Sequence, residues 1–167
     1  MTAKGARRYP AAFALLAAWA VHDAEEYIRA DNVERLRFSS PVDASSLRRA
    51  IPLMGAVVAT ASVRGWVTDG RSPTYQAAVA AFGLHGFSHL AISAVNRGYA
   101  PGVATVLPVV LPYAWWAWRD LAGRDRMSTG RAVAAGVAFA VTAVAGCHAA
   151  TAGVTRRRRG LPPTRPR

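Results

Sequence analysis

His22, Glu25 and Glu26 stand at i, i+3 and i+4 in the string His22-Asp23-Ala24-Glu25-Glu26, and His85 and His89 stand four apart further along the chain. Residues three and four apart share one side of a helix. Two imidazoles at i and i+4 can therefore bind one ion from a single helix. A fourth histidine, His148, follows Cys147 near the C-terminus. The expected metal ligands are His22, Glu26, His85, His89 and His148. The expected ion is zinc, with iron or manganese also compatible with imidazole and carboxylate donors. The doubled Glu25-Glu26 suits a division of labour in which one carboxylate ligates and its neighbour transfers protons. Asp23 points about 100° away from His22 on a helix and is a weaker candidate, an acceptor that would orient an imidazole. Cys147 faces a different direction from His148.

The setting makes these residues conspicuous. Each histidine lies within an apolar stretch, and histidine or glutamate in hydrocarbon is costly enough to need a partner or a purpose. Plainer roles exist for each residue. Glu25 can pair with Arg29 on the next turn, His22 can sit at the membrane interface, and His85 and His89 can hydrogen-bond between helices. Arg64 most simply reaches for the headgroups.

The elements that must position these groups read as membrane helices. The chain of 167 residues is 52% hydrophobic and 18% charged, below the roughly 25% charge of ordinary soluble domains. Residues 50–63, 74–95, 101–118 and 132–155 carry almost no charge, and each approaches the length of about 20 residues needed to cross a bilayer core. The apolar run from Ala11 to Val21 is shorter. Ala18-Trp19-Ala20 after Lys4, Arg7 and Arg8 has the spacing of a signal-peptidase site. The helical pattern nevertheless runs on to Ile28, so an attached helix from Pro10 to Ile28 is the expectation.

The fold class is therefore all-α, a polytopic membrane bundle of about five transmembrane helices at roughly 10–28, 50–68, 74–95, 101–119 and 131–154. Residues 1–155 form a single membrane domain, and the basic tail 156–167 is expected to be disordered. A short amphipathic surface helix is expected at 44–49. Pro108 and Pro112 should kink the fourth helix, and Tyr113, Trp115, Trp116 and Trp118 form an aromatic belt near its end. With five alternating spans, helices one, three and five run the same way. His22, Glu25, Glu26, His85, His89 and His148 then all lie toward one membrane face.

The net charge of +12 does not point to nucleic acid, because the arginines gather in short loops and at Arg156-Arg157-Arg158-Arg159. That distribution fits the positive-inside pattern and attraction to anionic lipid headgroups. The face that carries the cluster and the C-terminus holds the larger share of basic residues, which places it in the cytoplasm. One cysteine excludes an intramolecular disulfide framework. The arginine and alanine bias suggests a GC-rich bacterial source.

The motif His22-Asp23-Ala24-Glu25-Glu26, the later intramembrane histidines and Tyr99-Ala100-Pro101-Gly102 resemble the HXXEE family of small integral-membrane proteins. That family is marked by an H-x-x-E-E motif, a further histidine and a Y-x-P-G motif. The resemblance covers roughly residues 10–155 and implies a membrane protein without implying a reaction. In the five-span arrangement the Y-x-P-G loop lies on the cluster side. Pro101 can open the fourth helix, and Gly102 permits close approach of backbone or substrate. Tyr99 is a candidate proton or hydrogen-bond donor at the site mouth.

The chemistry expected from this set is metal-assisted hydrolysis of a membrane-embedded or lipid-like substrate, with Glu25, Glu26 and Tyr99 as catalytic candidates. The spacing is not the H-E-x-x-H of soluble metalloproteases. A di-iron membrane oxidase or hydroxylase is an alternative with few ligands to draw on. A non-catalytic metal or proton conduit would need polar residues at successive depths.

Overall fold

The computed structural model describes residues 8–37 and 43–159, with 152–159 described through their backbone alone. Four continuous helices, α1 (Phe13–Arg29), α2 (Ala44–Val67), α3 (Pro73–Asn96) and α5 (Thr129–Arg159), are joined by an interrupted one. That helix, α4, comprises Val103–Thr105, a π segment Val106–Val110 and Leu111–Asp120. No strand occurs among the described residues, so the all-α bundle expected from the hydropathy pattern is the fold.

Local chemistry sets the boundaries. Pro10 begins a single 3₁₀ turn, Pro10–Ala12, ahead of α1, where a missing N–H costs nothing. The Asp43 carboxylate accepts the Ser46 N–H at 2.7 Å and starts α2 at Ala44. The separate surface helix expected at 44–49 is therefore the opening of α2, six residues earlier than the expected boundary. The π segment centres on Pro108, whose absent N–H removes one rung of the α-ladder. The kink expected from Pro108 takes this form, and Pro112 falls harmlessly in the first turn of Leu111–Asp120. Pro101 does not open α4. Gly102 has φ of +89°, which no helical residue adopts, so the helix begins only at Val103. At the other end of the chain, α5 continues to Arg159, into the segment expected to be an unstructured tail. The remainder of that segment, 160–167, lies outside the described residues.

The best-packed part of the bundle is the end away from the His/Glu cluster. Tyr9, Ala12 and Leu15 meet Val58 and Ala61 of α2, Tyr75, Val79 and Phe82 of α3, and Val110, Tyr113 and Ala117 of α4. The Tyr9 N–H donates to the Trp66 carbonyl at 3.1 Å and pins the start of α1 to the end of α2. α5 packs chiefly on α3 and α2. At Gly136 a Cβ would lie 2.9 Å from the Ala81 nitrogen, so the absent side chain lets those two backbones approach.

Helices α2, α3 and α5 are long and apolar enough to cross a membrane. Large apolar side chains such as Ile28, Leu107, Trp115 and Val141 lie on the outer surface, where hydrocarbon rather than water would meet them. These features mark a membrane protein. With 17 residues, α1 is shorter than those three.

Candidate metal centre

Four side chains from two helices meet at one point. His22 and Glu26 descend from successive turns of α1, and His85 and His89 from successive turns of α3. One donor atom from each lies within 4.8 Å of all the others. Glu26 Oε1 is the hub, at 2.9 Å from His89 Nε2, 3.5 Å from His85 Nε2 and 3.8 Å from His22 Nε2. The two α3 imidazoles have their Nε2 atoms 2.8 Å apart. His22 is fully buried, and Glu26 and His89 are each 7% exposed. The His85 side chain is 39% exposed, so the group is open on that side.

His22 shows how the group is prepared. The Thr105 hydroxyl donates its proton to the Gly102 carbonyl at 3.0 Å. In that arrangement it accepts from His22 Nδ1, 2.8 Å away. The proton of the neutral ring is thereby fixed on Nδ1, and the lone pair of Nε2 faces Glu26, His85 and His89. That Nε2 is buried with no hydrogen-bond partner. An outer hydrogen bond that fixes the tautomer of a metal-binding imidazole is a recurring device. A donor set of three imidazoles and a carboxylate, with one lone pair unsatisfied, suits a divalent ion. The group can hold one.

The second sequence motif touches the first. Glu25, one residue before the hub, accepts from the Thr105 N–H at 2.7 Å and the Ala104 N–H at 3.0 Å. It also accepts from the Tyr99 hydroxyl. Burial and the adjacent carboxylate push the Tyr99 hydroxyl up to about 12, so it stays a donor. Glu25 thus binds the start of α4 and pairs with no cation among the described residues, Arg29 included. Gly102 closes the arrangement. A Cβ there would lie 2.8 Å from His22 Cε1, 3.0 Å from His89 Cε1 and 3.1 Å from Glu26 Cγ.

The structure places several of the other expected residues away from the quartet. His148 stands outside the quartet, with Nδ1 3.2 Å from Ser46 Oγ, because α5 packs on α2 and α3. Glu25 and Tyr99 hold each other instead of facing the quartet. Asp23 orients no imidazole. It is buried and lines a cavity with no hydrogen-bond or ion-pair partner among the described residues. Cys147 and His148, neighbours on α5, both line this cavity. Thr105 escaped the sequence reading. Its only signal was a hydroxyl three residues after Gly102 in an apolar run.

That cavity, about 180 Å³, lies between α1, α2, α3 and α5. Its walls are apolar, from Leu15, Trp19, Met54, Phe82 and Phe139 among others, and its polar lining is Asp23, Glu26, His85 and His148. Glu26 and His85 therefore belong to both the quartet and the cavity.

No curated protein and no solved structure matches the chain. The sequence pattern of one family, described as proteins of unknown function with an HXXEE motif, matches residues 13–117. That span runs from the start of α1 to the middle of the last segment of α4 and includes every residue of the quartet and of the Glu25–Tyr99 clasp. The chain belongs to the HXXEE family.

Proposed function

We propose that the quartet is a catalytic metal centre and that the protein hydrolyses an acyl bond of a lipid-like substrate within the membrane. The observation that carries this reading is the buried, unpartnered Nε2 of His22, aimed with two other imidazoles at one point beside an apolar cavity. His22, His85 and His89 would hold the ion. A divalent ion bound there would supply two things, a lowered pKa for water and polarisation of an acyl carbonyl.

The chain's own groups supply the rest. Glu26 is the carboxylate at the hub, within reach of all three imidazoles. It takes a proton from the attacking water. Water oxygen bonds to the acyl carbon, the C–N or C–O bond breaks, and the proton held by Glu26 passes to the departing nitrogen or oxygen. The products are a carboxylic acid and an amine or alcohol. Thr105 keeps His22 in one tautomer throughout, and the apolar cavity walls keep bulk water from the reacting bond. One ion fits better than a di-iron pair, because His148 and Glu25 are committed elsewhere.

The test is metal content by mass spectrometry on the full chain purified in detergent. Near-stoichiometric zinc, iron or manganese is expected in the wild type and its loss in a His85→Ala/His89→Ala double variant. Glu26→Gln should keep its metal. A folded wild type that takes up no divalent ion on reconstitution would sink the reading.

A further inference from the structure

The cavity beside the quartet has its own chemistry. Its polar groups are not spread around the walls. Asp23 and Glu26 come from the second half of α1, His85 from the second half of α3 and His148 from the second half of α5. The rest of the lining is hydrocarbon or aromatic. A space of this kind is amphipathic in the same sense as a surfactant, with one polar region and an apolar remainder.

Asp23 is the residue that narrows the occupant. It is 5% exposed and has no hydrogen-bond or ion-pair partner among the described residues. A buried carboxyl in that state is costly, and its unused acceptor oxygens face the cavity. A ligand group that donates a hydrogen bond would satisfy it. His148 is held from behind by Ser46 and adds a second polar contact from the opposite helix.

The way in is also visible. A groove between α2 and α5, lined by Leu53, Val57, Thr142 and Gly146, shares Phe139, Ala143 and Cys147 with the cavity. Leu53 is on the outer surface of a helix of membrane-spanning character. The small residues Ala143 and Gly146 leave this seam thinly covered. A molecule dissolved in the bilayer would reach the cavity sideways.

We propose that the cavity and the groove opening from it between α2 and α5 together bind one acyl chain of a membrane-dissolved amphiphile, and that Asp23 accepts a hydrogen bond from a donor-bearing head such as an N-acyl ethanolamide. This rests on the metal-centre reading only for what happens after binding. Chain capture itself needs the cavity and Asp23.

The experiment uses the full chain in phosphatidylcholine nanodiscs, because a single-chain detergent would compete for the cavity. Two photoactivatable lauroyl probes with a diazirine in the chain are compared: an ethanolamide, which donates hydrogen bonds, and a dimethylamide, which donates none. Labelled residues are mapped by peptide mass spectrometry, and metal content is measured on the same samples. The ethanolamide should label the cavity wall at Met54 and Phe139, about tenfold more efficiently than the dimethylamide, since one good hydrogen bond is worth about that factor. Asp23→Leu should abolish the preference while labelling persists. Ala143→Trp should block labelling by both probes.

Labelling confined to the outer faces of the helices, at positions such as Val137 and Val141, would overturn the proposal. So would equal labelling by the two probes in the wild type. If Ala143→Trp does not fold, the Asp23→Leu comparison decides alone. A protein that labels as expected yet binds no metal would support the cavity assignment and refute only the hydrolase.

Discussion

The two ends of this bundle treat polar groups in opposite ways. At the end holding the N-terminal half of α1, the Tyr9 hydroxyl donates to Asp120 at 2.5 Å, and Arg124 reaches Asp69 at 2.5 Å and Asp120 at 3.4 Å. Gln76, 1% exposed, donates to the Gly70 and Asp125 carbonyls and accepts the Met127 N–H at 2.8 Å. These side chains satisfy one another across α1, α3, α4 and the turns between them. At the other end, His22 Nε2 is buried with nothing to bind, and Asp23, without a hydrogen-bond or ion-pair partner among the described residues, lines the cavity. A closed network of hydrogen bonds needs no ligand to explain it. An open one, in a low-dielectric setting where each orphan costs free energy, is the place to look for one. The remaining buried orphan among the described residues, Ser62 Oγ in α2, is not explained by anything in the structure.

Substitutions at the two ends should separate metal binding from stability. The largest effect is expected for Gly102→Val. Its branched side chain meets His22, His89 and Glu26 at a φ of +89°, so metal should be absent from the purified protein. The strain should also cost about 1–3 kcal/mol of thermal or denaturant stability. Gly123→Ala, with nothing within 4 Å of its Cβ, is the matched control and should change neither. Next, Arg124→Ala should lower stability by about 2–3 kcal/mol, because Asp69 and Asp120 lose their cation. Metal content should remain at the wild-type level. Metal loss in this variant would blur the two ends into one system.

Thr105→Val should have the converse signature. The fold persists, but the His22 ring is freed to change tautomer, and metal affinity should fall by about 10–100-fold in a chelator-competition titration. An unchanged affinity would mean that the Thr105 bond does not orient the ring. The smallest effect is expected for Tyr99→Phe. Glu25 keeps the Ala104 and Thr105 N–H bonds, so the loss should be about 1 kcal/mol or less in unfolding experiments. A larger loss would show that the exposed hydroxyl bears more of the clasp than its neighbours do.

Much of this centre was legible from spacing alone. The pairs His22/Glu26 and His85/His89 are each four apart, and that fixes a shared helical side before any packing is known. What spacing cannot supply is which helix faces which. Glu25 and Glu26 are neighbours in sequence but about 100° apart in rotation, and only packing decides that one meets α3 and the other the start of α4. His148 has the right chemistry, yet its helix lies against α2 and α3. The cavity beside Asp23 depends on four helices at once, so the sequence alone suggests only a support for an imidazole there. The start of α2 was readable in principle from Asp43 and Ser46, an N-cap pair that the apolar window concealed. The helices themselves emerge from hydropathy because four windows free of charge have few other solutions.

The bond between His22 and Thr105 spans 83 positions of sequence, and this has a consequence for how the protein is made. A ribosome produces the first half of the centre well before the residue that sets its tautomer. Until α3 and the start of α4 arrive, His22, Asp23, Glu25 and Glu26 have neither imidazole partners nor the backbone N–H groups that later receive them. The growing chain must carry this polar cluster at or near the insertion machinery through that interval. The His/Glu quartet is complete only once α3 has been made, and its clasp only once the start of α4 has followed. On the proposed metal-centre reading, ion capture is an assembly step, and a shortened chain ending before Gly102 should neither hold metal nor keep its first helix in place.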